Sequence, residues 1–317
     1  MYKKFFLLFL AILMIPNITF ANDLASAIKN ATKACSGIDG SLSELKKKAG
    51  INTAVTAVGT VSGAVALGTG IAKVGVDKQQ KDLEEKVKKL IAEKAVVEIQ
   101  KLDIDDEIEF REAVHRLVYD VAYNDSKISA DLKEIEELDK KSRTLGNVRT
   151  GTLAASTATN IVGTAIAATN KVDEDLEEKI NKCVSAVKDL SSAKLAAKVE
   201  NTATDVELAK AEKIINSCRD YEYVDIKPIN KRATGAAVAS GIGIGTGVVG
   251  TITSAVANTN KIRMGDEQKE KNLNTTANVM SGASTVASAT ATIFNATQIS
   301  AIKKVATVAE TCEGALK

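Results

Sequence analysis

Four long segments of this chain carry no charged residue, and they restrict its fold more than any other feature of the sequence. These segments are residues 51–72, 150–170, 233–260 and 272–302. Each is rich in small residues (Ala, Gly and Thr) with interspersed Val and Ile. Charged segments, chiefly 77–145 and 171–232, lie between them. The uncharged segments must therefore pack against one another or against lipid.

Bulky residues in these segments recur every seven positions, which favours helices. The repeats are Ile51, Val58 and Val65; Ile242, Val249 and Val256; and Val279, Val286 and Ile293. Such spacing predicts a coiled-coil-like seam with the bulky side chains at the helix contact. Glycines four apart predict close approach of helix backbones, as at Gly59 with Gly63, Gly241 with Gly245, and Gly243 with Gly247. Valine, threonine and glycine would also allow strands, but the sevenfold spacing favours helices.

The composition agrees with an all-α protein. Aromatic residues make up 3% of the chain, and Pro228 is the one proline that follows the first 21 residues. The scarcity of proline permits long helices. We expect an elongated bundle of long antiparallel helices, with Ala/Gly/Thr-rich close-packed segments and two charged helical hairpins.

Related stretches indicate an internal duplication. "NVRTGTLAAS" at 147–156 resembles "NKRATGAAVAS" at 230–240, and "DLEEK" occurs at both 82–86 and 175–179. Such self-similarity is the signature of a repeated structural unit. We expect residues 22–317 to form a single helical bundle. It would hold a duplicated unit, at approximately 51–145 and 147–219, and a C-terminal helix pair at 233–308.

The charged segments predict two helical hairpins. In the first, apolar residues fall on one side of residues 78–101 and 107–122, and a further helix begins near residue 129. The second hairpin runs over 173–199 and 204–219. Thr204 and Glu207 have the spacing of a capping box at the start of its second helix.

The N-terminus has the layout of a secretory signal peptide. Lys3 and Lys4 precede an apolar run, and Thr19 and Ala21 put a small residue at the −3 and −1 positions of a cleavage site. We expect residues 1–21 to be removed and the protein to be exported to the periplasm or the extracellular space, where it could associate with the cell envelope. An uncleaved membrane anchor is the alternative, although the run is short for a span.

The chain contains four cysteines, Cys35, Cys183, Cys218 and Cys312. In an exported protein an even number indicates disulfides. The midpoint of Cys183 and Cys218 coincides with the predicted hairpin turn at residues 200–201, so we expect these two to be bonded. Cys35 and Cys312 would then tie the termini together. Free buried thiols are the alternative.

Charge and composition argue against several classes of function. Without Lys3 and Lys4 the chain has 40 basic and 40 acidic residues, which lacks the basic footprint of a nucleic-acid binder. The single histidine, His115, has no motif around it. "GIGIGTG" at 241–247 resembles a dinucleotide loop only in composition, because no strand precedes it. We therefore expect no enzymatic activity, no cofactor, no metal and no small-molecule substrate.

Residues 124–134 are the one local arrangement with ligand chemistry. Asn124, Asp125, Ser129, Asp131 and Glu134 resemble the second half of a calcium loop. The glycine position is Ser126 and the ladder of acids at loop positions 1, 3 and 5 is absent, so the pattern departs from calcium loops where their specificity lies. We favour a turn in which Asp125, Ser126 or Ser129 caps the next helix.

Two functions follow from these features. The first is an exported, non-enzymatic structural or interaction protein of the bacterial envelope, with a protein partner or self-association through helical surfaces. The second is a membrane-inserting or pore-forming protein that uses the uncharged, glycine-zipper-like helices. The amide side chains of segment 272–302 argue against lipid contact, whereas segments 51–72 and 233–260 hold enough Val and Ile to be borderline spans.

Overall fold

The computed structural model describes residues 24–99 and 124–317, except 260, 261 and 264–266, together with isolated positions between 113 and 121. The predicted signal peptide and His115 lie outside the described residues. The α-helices are α1 (Leu24–Cys35), α2 (Ile38–Ile99), α3 (Ser126–Thr169), α4 (Glu174–Glu200), α5 (Asp205–Cys218), α6 (Lys227–Ala257) and α7 (Glu267–Leu316). A short 3-10 helix, Arg219–Tyr223, follows α5.

The described residues form helices and no strand, which confirms the all-α fold class. Long helices pack against one another as a bundle. The predicted second hairpin is also confirmed. Helix α4 ends at Glu200, and Asn201 caps it in the left-handed conformation (φ 57°). The Thr204 hydroxyl accepts from the amide of Glu207, whose carboxylate accepts from the amide of Thr204, so the expected capping box is present.

The chain divides into two compact units, and the boundaries between them fall within the long helices. Unit 1 comprises the described residues up to Thr53, together with Ile166–Ala236 and Ile293–Lys317; unit 2 comprises Ala54–Ala165 and Ala237–Thr292. Helices α2, α3, α6 and α7 each contribute residues to both units. The units are therefore not consecutive segments, unlike the predicted duplicated unit at 51–145 and 147–219. The duplication itself stays a prediction.

The two predicted copies also differ in their helix boundaries. The first "DLEEK", at 82–86, lies within the uninterrupted helix α2. Before the second, at 175–179, helix α3 ends at Thr169 and α4 begins at Glu174. The side chain of Asp173 accepts from the amide of Leu176 and so caps α4. A helix cap thus separates an uncharged segment from a charged one in the second copy only.

Unit 1 has a conventional apolar core. Leu42, Leu190, Ile214, Ile229 and Ile302 are all fully buried in one continuous cluster. Tyr221 is 2% exposed, and its burial raises the pKa of its phenol. Apolar side chains of α1, α2, α4, α5 and α7 meet in this core. Hydrophobic burial of this kind is the main stabilising contribution in a water-soluble fold.

In unit 2 the buried residues are mostly small or polar, in contrast to the apolar core of unit 1. Its buried positions follow a spacing of alternately three and four residues along each helix. They include Thr56, Gly59, Gly63, Ala66, Gly70 and Lys73 on α2; Ser142, Gly146, Arg149, Leu153, Ser156 and Asn160 on α3; Ser240, Gly243, Gly247, Gly250 and Ser254 on α6; and Asn274, Ala277, Ser281, Ser284 and Ser288 on α7. Among the described residues of the unit, the larger aliphatic side chains that are buried are Val76, Val87, Ile128, Leu153 and Ile262.

The predicted seam of bulky residues is therefore wrong. All nine residues of the seam are exposed, from 38% at Val256 to 67% at Val286. The sevenfold period is real, but it marks the outward face of each helix. The inward face carries glycine, serine and alanine at the same period, because small residues let the backbones approach more closely than valine would.

Candidate functional site

All four cysteines form disulfides, but the predicted pairing is wrong. Cys35 is bonded to Cys183, and Cys218 is bonded to Cys312. The hairpin turn lies where we expected it, but α1 also packs against α4. The sulfurs of Cys35, Cys218 and Cys312 all lie within 4.8 Å of one another. The four cysteines thus meet in one place, where the hairpin midpoint could not decide which are bonded.

Residues 124–134 form a helix start, as we favoured. Asp125 Oδ1 accepts from the amides of Lys127 and Ile128, at 3.0 and 3.1 Å, and caps α3. Lys94 contacts the Asp125 carboxylate, and Lys86 Nζ lies 3.0 Å from Asp131 Oδ2. The contact with Lys94, together with the Ile128 amide, lowers the pKa of Asp125. The two carboxylates face lysines from α2.

The surface of unit 2 is its most unusual feature. Among the described residues of this unit, sixteen Val and Ile residues are more than one-third exposed and five larger aliphatic side chains are buried. We call these sixteen residues the aliphatic belt. They are Val58, Val61, Val65, Ile71 and Val74 on α2; Val148, Ile161 and Val162 on α3; Val238, Ile242, Val248, Val249, Ile252 and Val256 on α6; and Val279 and Val286 on α7.

The threonines within the belt form their hydrogen bonds inside the protein. Ten of their hydroxyls donate to the carbonyl oxygen four residues earlier in the same helix, at 2.7–3.0 Å. They belong to Thr60, Thr69, Thr152, Thr164, Thr246, Thr251, Thr253, Thr285, Thr290 and Thr292. A hydroxyl paired in this way has a partner for its hydrogen without water. The polar groups of this surface are therefore compatible with an apolar surrounding.

Glycines bring the helices of unit 2 into close contact. A Cβ atom on Gly63 would lie 2.6 Å from Thr285 Oγ1 and 3.2 Å from Thr285 Cα. A Cβ on Gly59 would lie 2.6 Å from Thr159 Oγ1, and one on Gly243 would lie 2.6 Å from Asn160 Nδ2. The close approach expected at these glycines is present. At Gly241 and Gly245 the expectation is wrong, because both face open space.

A buried arginine lies at the centre of the polar interior. The side chain of Arg149 is fully buried and donates to Ser254 Oγ at 2.8 Å, Asn274 Oδ1 at 2.7 Å and Asn278 Oδ1 at 3.2 Å. These bonds join α3 to α6 and α7. Sequence reasoning missed this role, although Arg149 directly precedes an uncharged segment, and a charge in that position was the available signal.

A charged network lies on the side of Arg149 away from Gly59 and Ser156. The fully buried Lys73 donates to Asp77 Oδ2 at 2.6 Å and to Glu270 Oε1 at 2.9 Å. Arg263 Nη2 lies 2.6 Å from Asp139 Oδ1. The exposed pair of Lys81 and Glu267 lies further along α2 and α7. The uncharged, belt-bearing part of the unit thus gives way to charged residues at this end.

Two helical stretches of the described residues are long and apolar enough to cross a membrane. One falls within 24–95 and the other is Lys227–Ala257, each with a mean hydropathy of 1.5 over its best 18-residue window. Only 28% and 33% of these windows are buried. A helix from the core of a water-soluble protein would be mostly buried. The low burial of both stretches therefore distinguishes them from such core helices.

No known protein family, curated protein or solved structure matches this chain. The two disulfides indicate an oxidising environment.

Proposed function

We propose that this chain is an exported, non-enzymatic protein of the bacterial envelope that holds the belt-bearing part of unit 2 in a lipid bilayer. The observation that carries the proposal is the inversion of unit 2, with sixteen exposed Val and Ile residues around an interior of Ser, Asn, Gly and Arg. The proposal joins the exported, non-enzymatic envelope protein expected first with the membrane insertion, but not the pore, of the second expected function. Unit 1, with its apolar core and disulfides, would remain in the periplasm or extracellular space.

Energetic reasoning favours lipid over water around the belt. Full burial of a Val or Ile side chain is worth about 1.5–3 kcal/mol, so each half-exposed belt residue forgoes roughly 1 kcal/mol in water. Over the whole belt the loss is of the order of 10 kcal/mol, comparable to the entire stability of a typical domain, about 5–15 kcal/mol. Contact with acyl chains removes this loss.

The interior of unit 2 has the composition of helix contacts within membranes. Lipid tails are as apolar as leucine, so helices in a bilayer associate through small residues and interhelical hydrogen bonds. The Gly63–Thr285 contact and the Arg149 bonds to Ser254 and Asn274 are of these two kinds. Charged and polar residues within a membrane usually face the interior of the helix bundle, as Arg149 does here.

The distribution of the belt favours lipid over a protein partner. Each of the four helices described in unit 2 presents part of the belt, whereas one partner protein would cover a single face. From Val58 to Val74 the belt extends about 24 Å along α2, which is close to the roughly 30 Å of a hydrocarbon core. The two stretches apolar enough to cross a membrane lie on α2 and α6, so α3 and α7 would cross packed against them, and the four passes would leave all four cysteines in one aqueous compartment.

The packing of the interior supports an anchor over an open pore. Glycine contacts on α2 and α6 bring the facing side chains of α3 and α7 against the backbone, so these contacts leave no space for an aqueous path at their level. We therefore place the function in anchoring and in helical contacts with partners, including further copies of the chain.

Carbonate extraction of the envelope fraction tests the proposal. We expect the natural protein to stay in the pellet and V65D/V249D/V286D, with three belt residues changed, to be released or degraded. An aspartate at the centre of a membrane helix costs about 2.5–3.5 kcal/mol, whereas an exposed surface substitution in water changes stability by about 0.5 kcal/mol or less.

The matched control is V199D/V206D in unit 1, where both valines are 78% exposed. We expect this variant to stay in the pellet like the natural protein. Release of the natural protein into the supernatant, or equal behaviour of the two variants, would contradict membrane embedding and favour the soluble structural protein.

A further inference from the structure

The four cysteines converge from four helices on one buried position in unit 1. Cys35 ends α1, Cys218 ends α5, and Cys183 and Cys312 lie within α4 and α7. Each is at most 1% exposed. The sulfurs of Cys35, Cys218 and Cys312 lie within 4.8 Å of one another, and Cys183 is bonded to Cys35. Three sulfurs therefore lie close together, and the fourth, that of Cys183, is bonded to one of them.

We propose that the reduced form of this cluster is a zinc site with four cysteine ligands. Reduction of both disulfides takes up four electrons and four protons from two dithiol molecules and yields four thiols, while each dithiol becomes a disulfide. The four thiols then release four protons as Zn²⁺ forms four Zn–S bonds. Re-oxidation by two disulfide-containing acceptors, each taking two electrons and two protons to become a dithiol, would reform both bonds and release the ion.

The dimensions of the cluster suit this ion. Zinc–sulfur bonds of about 2.3 Å in a tetrahedron require sulfurs roughly 3.8 Å apart. The sulfurs of Cys35, Cys218 and Cys312 lie within 4.8 Å of one another, a small side-chain adjustment from that distance. Cys183, whose sulfur is bonded to that of Cys35, would turn further to become the fourth ligand. Each ligand comes from a different helix, so the ion would hold together the same four elements as the disulfides.

The surroundings favour a bound cation in the reduced state. The four sulfurs lie in the apolar core of unit 1, where Ala31, Ile38 and Tyr221 are also buried. Isolated thiolates are costly in such an interior, and coordination to a metal is the usual way for a protein to hold them. A chain exposed to the reducing cytosol before export would meet the conditions for this state. The inference does not depend on the membrane role proposed for unit 2.

Metal titration of the full chain tests the proposal. The protein is reduced with a trialkylphosphine, which takes oxygen from water and becomes the phosphine oxide, and Zn²⁺ or Co²⁺ is then added anaerobically. We expect one ion per chain, Co²⁺ spectra with thiolate charge-transfer and tetrahedral bands, and a higher Tm for the reduced chain with Zn²⁺. Oxidised protein should bind neither ion at this position.

Variants C35S and C312S, each reduced in the same way, should bind the ion at least about tenfold more weakly. Loss of a group that only supports a metal ligand already lowers metal affinity by about tenfold or more, and these variants lose a ligand itself. The control variant S36A changes an exposed neighbour of Cys35 and should bind like the natural chain. Reduced chain that binds no Co²⁺ with a thiolate spectrum, or whose helicity and Tm do not respond to Zn²⁺, would overturn the proposal. Unaltered binding by C35S and C312S would do the same.

Discussion

Gly63 and Gly68 belong to the same helix, α2, but have different surroundings. A Cβ on Gly63 would meet the backbone and hydroxyl of Thr285, whereas nothing lies within 4 Å of a Cβ on Gly68. Glycine within a helix costs about 1 kcal/mol relative to alanine. The two positions therefore separate the effect of helix propensity from that of helix contact.

We predict opposite effects of alanine at these positions. Gly68→Ala should raise the free energy of unfolding by about 0.5–1 kcal/mol through propensity alone. Gly63→Ala should lower it by about 1–2 kcal/mol, because overpacking costs more than propensity returns. Circular dichroism melts of both variants check this. A stabilised Gly63→Ala would mean that the α2–α7 contact is looser than described.

Arg149 tests the polar interior of unit 2. Arg149→Ala would leave the oxygens of Asn274 and Asn278 without this donor and would open a cavity, so we predict a loss of about 3–5 kcal/mol. Arg232, whose side chain donates to the Thr297 carbonyl at the surface, provides the control. Arg232→Ala should cost about 1 kcal/mol or less. Equal effects in denaturant unfolding would show that Arg149 does not organise the interior.

At the scale of single helices, most helices could be predicted from the sequence, but in unit 2 the sequence did not show which face of each helix is buried. Apolar stripes and the Thr204–Glu207 spacing identify the hairpin of α4 and α5 to within a residue or two. In unit 2 the seven-residue period of Val58 and Val65 fits an inward or an outward stripe equally well. A periodicity argument that assumes water outside puts these valines in the interior, whereas the structure exposes them.

The capping box of α5 predicts a pH dependence. Hydrogen bonds from the amide and hydroxyl of Thr204 lower the pKa of Glu207. A depressed pKa contributes stability above the unfolded-state value, about 4.3, and that contribution disappears as pH falls through the folded-state pKa. We therefore predict that Glu207→Gln lowers Tm at pH 7 and that this difference vanishes in strong acid.

Thermal melts of the natural chain and of Glu207→Gln, each at pH 7 and in strong acid, provide the measurement. Glu222 is a control for the loss of one exposed carboxylate, because it pairs with Lys188 outside the cap. A Tm difference for Glu207→Gln that is the same at both pH values would assign its effect to something other than the ionised cap.

At the scale of the whole molecule, the disulfide pairing was beyond sequence reasoning because four sulfurs meet in one cluster. We predict that peptide mapping without reductant recovers Cys35 linked to Cys183 and Cys218 linked to Cys312. Removing one bond with C218S/C312S should lower the free energy of unfolding by about 2–5 kcal/mol. Recovery of Cys183 linked to Cys218 would restore the sequence-based pairing and contradict the structure.

Under the membrane proposal, unit 1 and the belt-bearing part of unit 2 have different surroundings. Unit 1 buries leucine and isoleucine in its core, whereas the belt-bearing part of unit 2 buries mostly glycine, serine and alanine and exposes valine and isoleucine. The central claim is that the aliphatic belt faces acyl chains. It concerns the surroundings of specific side chains, so the most direct measurement reports on those surroundings.

That measurement is the collision accessibility of nitroxide labels in liposomes, with one cysteine introduced at Val58, Val249 or Val286 and, as controls, at Val199 or Val206. The native cysteines are all in disulfides and stay unlabelled. We predict that the three belt labels collide with oxygen more often than with a polar nickel chelate, and that the unit 1 labels show the reverse. Belt labels as accessible to the nickel chelate as those at Val199 and Val206 would contradict the account.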